Sequence, residues 1–240
     1  MSAGKARARV IDEQQANRLP LACGVIGPPL FVLVFLIEGA TRPGYSAWRH
    51  YVSQLSLGEG GWLQIANFLV CGLLSLCFAL GLRQALQRGT GATWGPLLLA
   101  VFGLGLIVAG TFVTDPALGY PPGAPHRPPG LVTHASLHGS VHGLAGLVVF
   151  SSVAAACFVL ARRFARDPAW RGWAPYSVVT GVLVAVFFVA SLAVAPLPGA
   201  PSGLLQRVAI VAGGSWIMFL AARLLGIVRS RDARSPRGRL

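Results

Sequence analysis

The chain has 240 residues, of which 54% are apolar and only 11% are charged, and its formal net charge is +13. Water-soluble domains carry roughly 25% charged residues, so this composition excludes an ordinary soluble globular protein. The basic residues lie between apolar runs instead of covering one face of a domain, which argues against nucleic acid as a partner. Length and composition together indicate one helical bundle solvated by lipid.

Six long apolar segments follow one another along the chain, at residues 21–37, 62–82, 94–113, 141–161, 174–197 and 204–228. About 17–25 residues are needed to cross a bilayer as a helix, and helices keep every backbone group satisfied in lipid. We therefore predict an all-α polytopic membrane protein with six transmembrane helices. Its predicted parts are a basic N-terminal tail (1–20), the six-helix domain (21–228) and a basic C-terminal tail (229–240).

The distribution of basic residues predicts the orientation. Sixteen of the 20 Arg and Lys residues lie in or beside the two tails and the connections that follow the second and fourth segments. Four lie on the opposite side: Arg42, Arg49, Arg127 and Arg207. Because Arg and Lys accumulate in cytoplasmic loops, we predict a protein of the cytoplasmic membrane with both termini in the cytoplasm. Anionic membrane lipids are the expected partners of its basic loops, whereas oligomeric partners stay open.

The first outer connection contains a helical pattern over residues 46–56. Its apolar residues recur at i, i+3, i+4 and i+7, namely Trp48, Tyr51, Val52 and Leu55. Ser53 and Gln54 fall between them. This pattern predicts a short amphipathic helix that lies at the outer interface, either as a connector or as a lid over a pocket.

Three histidines recur at every fourth residue at the outer end of the fourth segment: His134, His138 and His142. A pair at this spacing can bind one metal ion, and Asp115, at the end of the third segment, could supply a third ligand. Glu38 or His134 could complete the set. The pattern is compatible with a zinc site formed by His138, His142 and Asp115, but the spacing alone favours histidines that are solvated and hydrogen-bonded at the outer interface.

Further polar side chains lie within the apolar segments, where they are costly and tend to be functional. Gln64 and Asn67 share a face of the second segment, and Arg207 begins the sixth, where we expect Asp115 or Glu38 as its partner. We therefore predict a polar pocket that opens to the outer side. Its candidate residues are Glu38, Ser53, Gln54, Gln64, Asn67, Asp115, His134, His138, His142 and Arg207.

Several stretches together resemble one family of bacterial and archaeal membrane proteins, the domain of unknown function 998 (DUF998). They include Gly27-Pro28, Arg42-Pro43-Gly44-Tyr45-Ser46, Thr114-Asp115-Pro116 and the segments 52–58 and 203–207. The resemblance extends over roughly residues 20–228. It implies a protein with six membrane spans and assigns no catalytic residue.

Three functions are compatible with the sequence. The favoured one is a non-enzymatic binding or transport-associated role, in which the outer pocket recognises a lipid headgroup or a small polar solute. The first alternative is a zinc-dependent membrane hydrolase that uses His138, His142 and Asp115, with the metal lowering the pKa of a bound water. The second alternative is a structural subunit of a membrane complex. Only the hydrolase requires a cofactor.

Overall fold

The computed structural model describes residues 17–86, 89–126 and 136–234. Within them, six long helices follow in chain order: α1 Arg18–Thr41, α2 Gly61–Ala85, α3 Trp94–Thr111, α4 Leu137–Phe164, α5 Trp173–Val194 and α6 Ser202–Arg234. Two short 3₁₀ helices, Val52–Ser56 and Pro168–Trp170, lie in the connections before α2 and before α5. The predicted all-α fold with six spans is confirmed.

Each of the six helices is long and apolar enough to cross a membrane. Large apolar side chains on their outer faces are at least half exposed in the isolated chain, among them Leu33, Leu73, Leu104, Val189 and Phe219. Water contact over such a surface would be costly, whereas lipid tails solvate it at no penalty. The chain is therefore a multi-pass membrane protein.

The helices form a closed ring in chain order. Each helix packs against the next, and α6 packs back against α1. Glycines permit the closest approaches, because a Cβ on Gly72 of α2 would collide with the Gly103 carbonyl of α3, and one on Gly105 would collide with Val149 of α4. A closed ring of helices leaves space at its centre unless large side chains fill it.

One end of the ring, which we call the loop end, carries the connections 42–60 and 112–126. The connection 42–60 folds inward, and all five residues of the 3₁₀ helix Val52–Ser56 are buried. The prediction of an amphipathic helix at the membrane interface is therefore wrong for this segment. Val52 and Leu55 pack into the core beside Phe31 and Phe35. Between them, Gln54 finds hydrogen-bond partners inside the protein instead of facing water.

Candidate functional site

A cavity of about 110 Å³ lies at the centre of the ring. Helices α1, α2, α3, α4 and α6 contribute its walls, and the 3₁₀ helix Val52–Ser56 covers it at the loop end. Most of its lining is aliphatic or aromatic, including Phe31, Phe68, Phe102, Leu106, Phe150 and Ile210. Such a cavity accepts the apolar part of a ligand, and the few polar lining residues determine which ligand fits.

The α4 wall of this cavity is formed by one helical stripe. His142, Gly146, Val149 and Val153 lie on it at successive turns and line the cavity. A Cβ added to Gly146 would meet no atom within 4 Å. The absence of a side chain at this position therefore helps to keep the cavity open.

His142 is the first of three polar lining residues near the loop end, whereas a fourth polar lining residue, Ser75, donates its hydroxyl to the carbonyl of Cys71. His142 is 8% exposed. Its Nδ1 lies 2.9 Å from the carbonyl oxygen of Ala109 in α3 and 2.9 Å from that of Phe112, the residue that follows α3. Carbonyl oxygens only accept hydrogen bonds, so Nδ1 must carry the proton. In the neutral imidazole, Nε2 is then a hydrogen-bond acceptor.

Ser53 and Gln206 are the other two polar lining residues near the loop end. The Oε1 of Gln206 accepts a hydrogen bond of 2.8 Å from the main-chain nitrogen of Val52, which joins α6 to the roof. The Nε2 of Gln206, the Oγ of Ser53 and the Nε2 of His142 make no hydrogen bond to the part of the chain that the structure describes. Three polar groups are thus available to a ligand.

Arg207, in contrast, is occupied by the protein itself. It is 8% exposed, and its Nη1 donates to three main-chain oxygens at 2.8–2.9 Å, those of Ala47, His50 and Gly203. Its Nη2 donates to the hydroxyl of Tyr45. The expected carboxylate partner is not used, because main-chain carbonyls of the inward-folded connection satisfy the guanidinium. Arg207 therefore holds the roof onto α6.

The two acidic candidates also have structural partners. Glu38 forms an ion pair of 3.0 Å with Arg42 one helical turn later. Asp115 accepts hydrogen bonds from the main-chain nitrogen of Ser136 at 2.8 Å and from its hydroxyl at 2.6 Å. The Ser136 hydroxyl accepts in turn from the nitrogen of Gly139, so the pair caps the start of α4.

The amide candidates fix the roof and the α1–α2 contact. Gln54 accepts a hydrogen bond of 2.9 Å from the nitrogen of Tyr51 and donates one of 2.6 Å to the carbonyl of Ala117. Asn67 donates to the carbonyl of Phe31 at 3.1 Å and to the Oε1 of Gln64 at 3.2 Å. Of the predicted pocket residues, Ser53 and His142 line the cavity, and the amides support it from outside.

The histidine stripe is divided in the structure. His138 is exposed and its ring contacts that of Phe112 at 5.4 Å, whereas His142 is buried in the cavity wall. His134 lies outside the described residues. Among the residues that are described, no group of three or more His, Cys, Asp and Glu side chains could hold a metal ion. Zinc binding by His138, His142 and Asp115 stays a prediction.

The sequence did not identify Gln206 as a site residue, nor the apolar lining as a cavity. One signal was visible in the sequence. Gly146 follows His142 by four residues, so a position without a side chain lies next to a polar residue on the same helix face.

Comparison with known proteins gives one match. A family model described as a protein of unknown function (DUF998) matches residues 25–223, which include the lining of the cavity. Neither the curated proteins nor the solved structures contain a match.

Proposed function

The chain belongs to the DUF998 family of membrane proteins, and from this premise and the geometry of the cavity we propose that it is a non-enzymatic protein that binds an amphipathic molecule. The apolar part of the ligand occupies the central cavity. Its polar head lies at the loop end, beside Ser53, His142 and Gln206. This refines the lipid or solute recognition that the sequence favours.

One observation carries the proposal: an apolar cavity has unpartnered polar groups at one end only. Polar groups that face an apolar cavity without a partner are costly, and the cost is larger there than at a wet surface. A ligand head that bonds to them removes this cost. Lipid tails are as apolar as the cavity wall, so the walls select mainly by shape and the polar groups supply the specificity.

The size of the cavity limits how much of the ligand is enclosed. An engineered apolar cavity of roughly 150 Å³ holds one benzene molecule. The cavity of about 110 Å³ described above therefore accommodates a head and a short length of chain. We propose that the remainder of a long-chain ligand leaves the ring between helices and lies in the bilayer.

The orientation predicted from the distribution of Arg and Lys determines which side of the membrane the site faces. With both termini in the cytoplasm, the loop end faces the outside of the cytoplasmic membrane. The ligand head then lies at the depth of the outer leaflet. This supports binding of a molecule from that leaflet.

Photocrosslinking tests the proposal directly. The full chain is reconstituted in phosphatidylcholine vesicles with one of two probes. The probes are a hexadecyl alcohol and a hexadecyl phosphate that carry a diazirine at the same carbon. Labelled peptides are mapped by mass spectrometry. We expect at least one probe to label peptides that contain cavity-lining residues. Gly146→Leu fills the cavity, since a Cβ there has no neighbour within 4 Å, and should reduce this labelling about tenfold or more.

Gly226→Leu is the matched control. Gly226 is a helical glycine of α6 with equally open space at its Cβ, and it is exposed and does not line the cavity. Labelling in this variant should equal that of the unmodified chain. If neither probe labels lining residues, or if Gly146→Leu labels as strongly as Gly226→Leu, the cavity does not bind an amphipathic ligand.

A further inference from the structure

The chemistry of the three free polar groups restricts the head of the ligand. The Nε2 of His142 can only accept a hydrogen bond, because Nδ1 carries the proton toward two carbonyl oxygens. The Nε2 of Gln206 can only donate, since the Oε1 of the same amide already accepts from Val52. Ser53 can do both. The matching head must therefore donate one hydrogen bond and accept another, as a hydroxyl does.

Ionised heads do not fit this arrangement. A carboxylate or a fully ionised phosphate only accepts, so it would place negative charge against the lone pair of His142. An ammonium only donates, so it would face the amide hydrogens of Gln206. The hydroxyl of Ser53 can form a hydrogen bond with either head, but it does not remove the repulsion at His142 or at Gln206.

No counter-charge compensates an ionised head. The lining of the cavity includes no Arg, Lys, Asp or Glu among the described residues. Arg207 is the next residue after Gln206, but its guanidinium is engaged by three main-chain oxygens and by Tyr45. Burial of a charge without a partner costs far more than burial of a hydroxyl that forms hydrogen bonds.

We infer that the cavity selects an uncharged amphiphile with a hydroxyl head, such as a long-chain or prenyl alcohol or a monoacylglycerol. The hydroxyl donates to the Nε2 of His142 and accepts from the Nε2 of Gln206, with Ser53 as the third contact. The inference rests on the proposed function and deepens it by naming the ligand class. Anionic lipid headgroups are excluded from this site.

The two probes described above distinguish the inference from the proposed function. Their chains and diazirine positions are identical, so only the head differs. We expect the alcohol to label lining peptides about tenfold more strongly than the phosphate. The phosphate loses at least one hydrogen bond to the site, and burial of its charge without a partner weakens binding further. Equal or stronger labelling by the phosphate would overturn the hydroxyl assignment and leave cavity binding itself supported.

Ser53→Ala provides a second measurement with little risk to folding. The Ser53 hydroxyl has no hydrogen-bond partner among the described residues, so its removal breaks no internal hydrogen bond there. We expect labelling by the alcohol to fall roughly threefold to tenfold. Ser140→Ala is the control: Ser140 lies on the same helix as His142, is half-buried and does not line the cavity. Equal labelling by the two variants would contradict a hydroxyl contact at Ser53.

Discussion

The guanidinium of Arg207 donates a hydrogen bond to the hydroxyl of Tyr45 and so joins α6 to the connection between α1 and α2. The Tyr45 hydroxyl lies 3.0 Å from the carbonyl oxygen of Tyr51 and donates to it. Burial raises the pKa of Tyr45 to about 12 even though the charge of Arg207 acts to lower it, so the phenol keeps its proton at physiological pH. This chain of hydrogen bonds fixes the start of the cavity roof.

Replacement of Arg207 by lysine should loosen the roof. An ammonium has three donors on a flexible stem and cannot span three carbonyls and a hydroxyl as the planar guanidinium does. Hydrogen bonds to charged groups contribute roughly 1.5–3 kcal/mol each, so we expect Arg207→Lys to lower the free energy of unfolding by about 3 kcal/mol. Thermal unfolding in detergent measures the change.

The control for this variant is Arg49→Lys. Arg49 belongs to the same connection, and its side chain is exposed. Surface positions of this kind usually change stability by less than about 0.5 kcal/mol. If Arg207→Lys and Arg49→Lys unfold at the same temperature, the hydrogen bonds of Arg207 do not stabilise the roof.

His50 connects the two loop-end connections in its neutral form. Its Nδ1 accepts a hydrogen bond of 2.9 Å from the nitrogen of Ser46, and its Nε2 lies 3.1 Å from the carbonyl oxygen of Leu118, so Nε2 carries the proton. Burial holds the pKa of His50 below its ordinary value, and the charges of Arg49 and Arg207 act in the same direction. A second proton would break the bond from Ser46.

The stability of the fold should therefore depend on pH through His50. A histidine in the unfolded chain has a pKa of about 6.5, so below this pH the unfolded state binds more protons than the folded state. The contribution of neutral His50 is complete above about pH 6.5 and is lost as the pH falls through the lower folded-state pKa. The melting temperature should fall between about pH 7 and pH 5.

His50→Gln isolates this effect. A glutamine can accept from Ser46 and donate to Leu118 without titrating. We expect the melting temperature of the variant to depend less on pH than that of the unmodified chain, while the other histidines are common to both. Parallel curves for the two proteins would mean that His50 does not couple stability to pH.

The spans were predictable because a run of about 20 apolar residues in a chain with few charges has one stable environment. Their ends were less so. The fourth segment was predicted to begin at residue 141, and α4 begins at Leu137. Hydropathy detects apolar residues and therefore misses the polar first turn of α4, which Ser136 and Asp115 cap. That cap joins residues 21 positions apart and leaves no periodic signal.

The roof illustrates what a periodic pattern cannot reveal. The apolar spacing of residues 48–55 indicates which side chains avoid water, but it does not say whether the polar face meets water or protein. Gln54 is satisfied by the carbonyl of Ala117, 63 positions later. Arg207 is likewise satisfied by main-chain oxygens instead of the carboxylates that its charge suggested. Such partners exist only after the chain has folded, so the sequence could identify the polar residues and not their roles.

The zinc-dependent alternative makes a prediction opposite to ours for Asp115. As part of a helix cap, Asp115 should contribute about 1–2 kcal/mol to stability without any metal. We expect Asp115→Ala to lower the melting temperature equally in the presence and absence of a chelator, and the chelator to leave the unmodified chain unchanged. His138→Ala, at an exposed position, should have little effect on either measurement.

A bound zinc ion would give a different pattern. The chelator would then lower the melting temperature of the unmodified chain, because a metal that binds only the folded state stabilises it. Both Asp115→Ala and His138→Ala would lose that dependence. Stoichiometric zinc in the purified protein, absent from both variants, would favour the hydrolase.

The orientation of the ring can be tested by cysteine labelling in intact cells. Arg49 at the loop end and Arg229 near the end of α6 are both exposed. Each is replaced by cysteine in a chain whose four native cysteines are changed to alanine. Because basic residues favour the cytoplasmic side, we expect a maleimide that cannot cross the membrane to label Arg49→Cys directly and Arg229→Cys only after permeabilisation. The reverse pattern would place the cavity roof in the cytoplasm, and the ligand head would then belong to the inner leaflet.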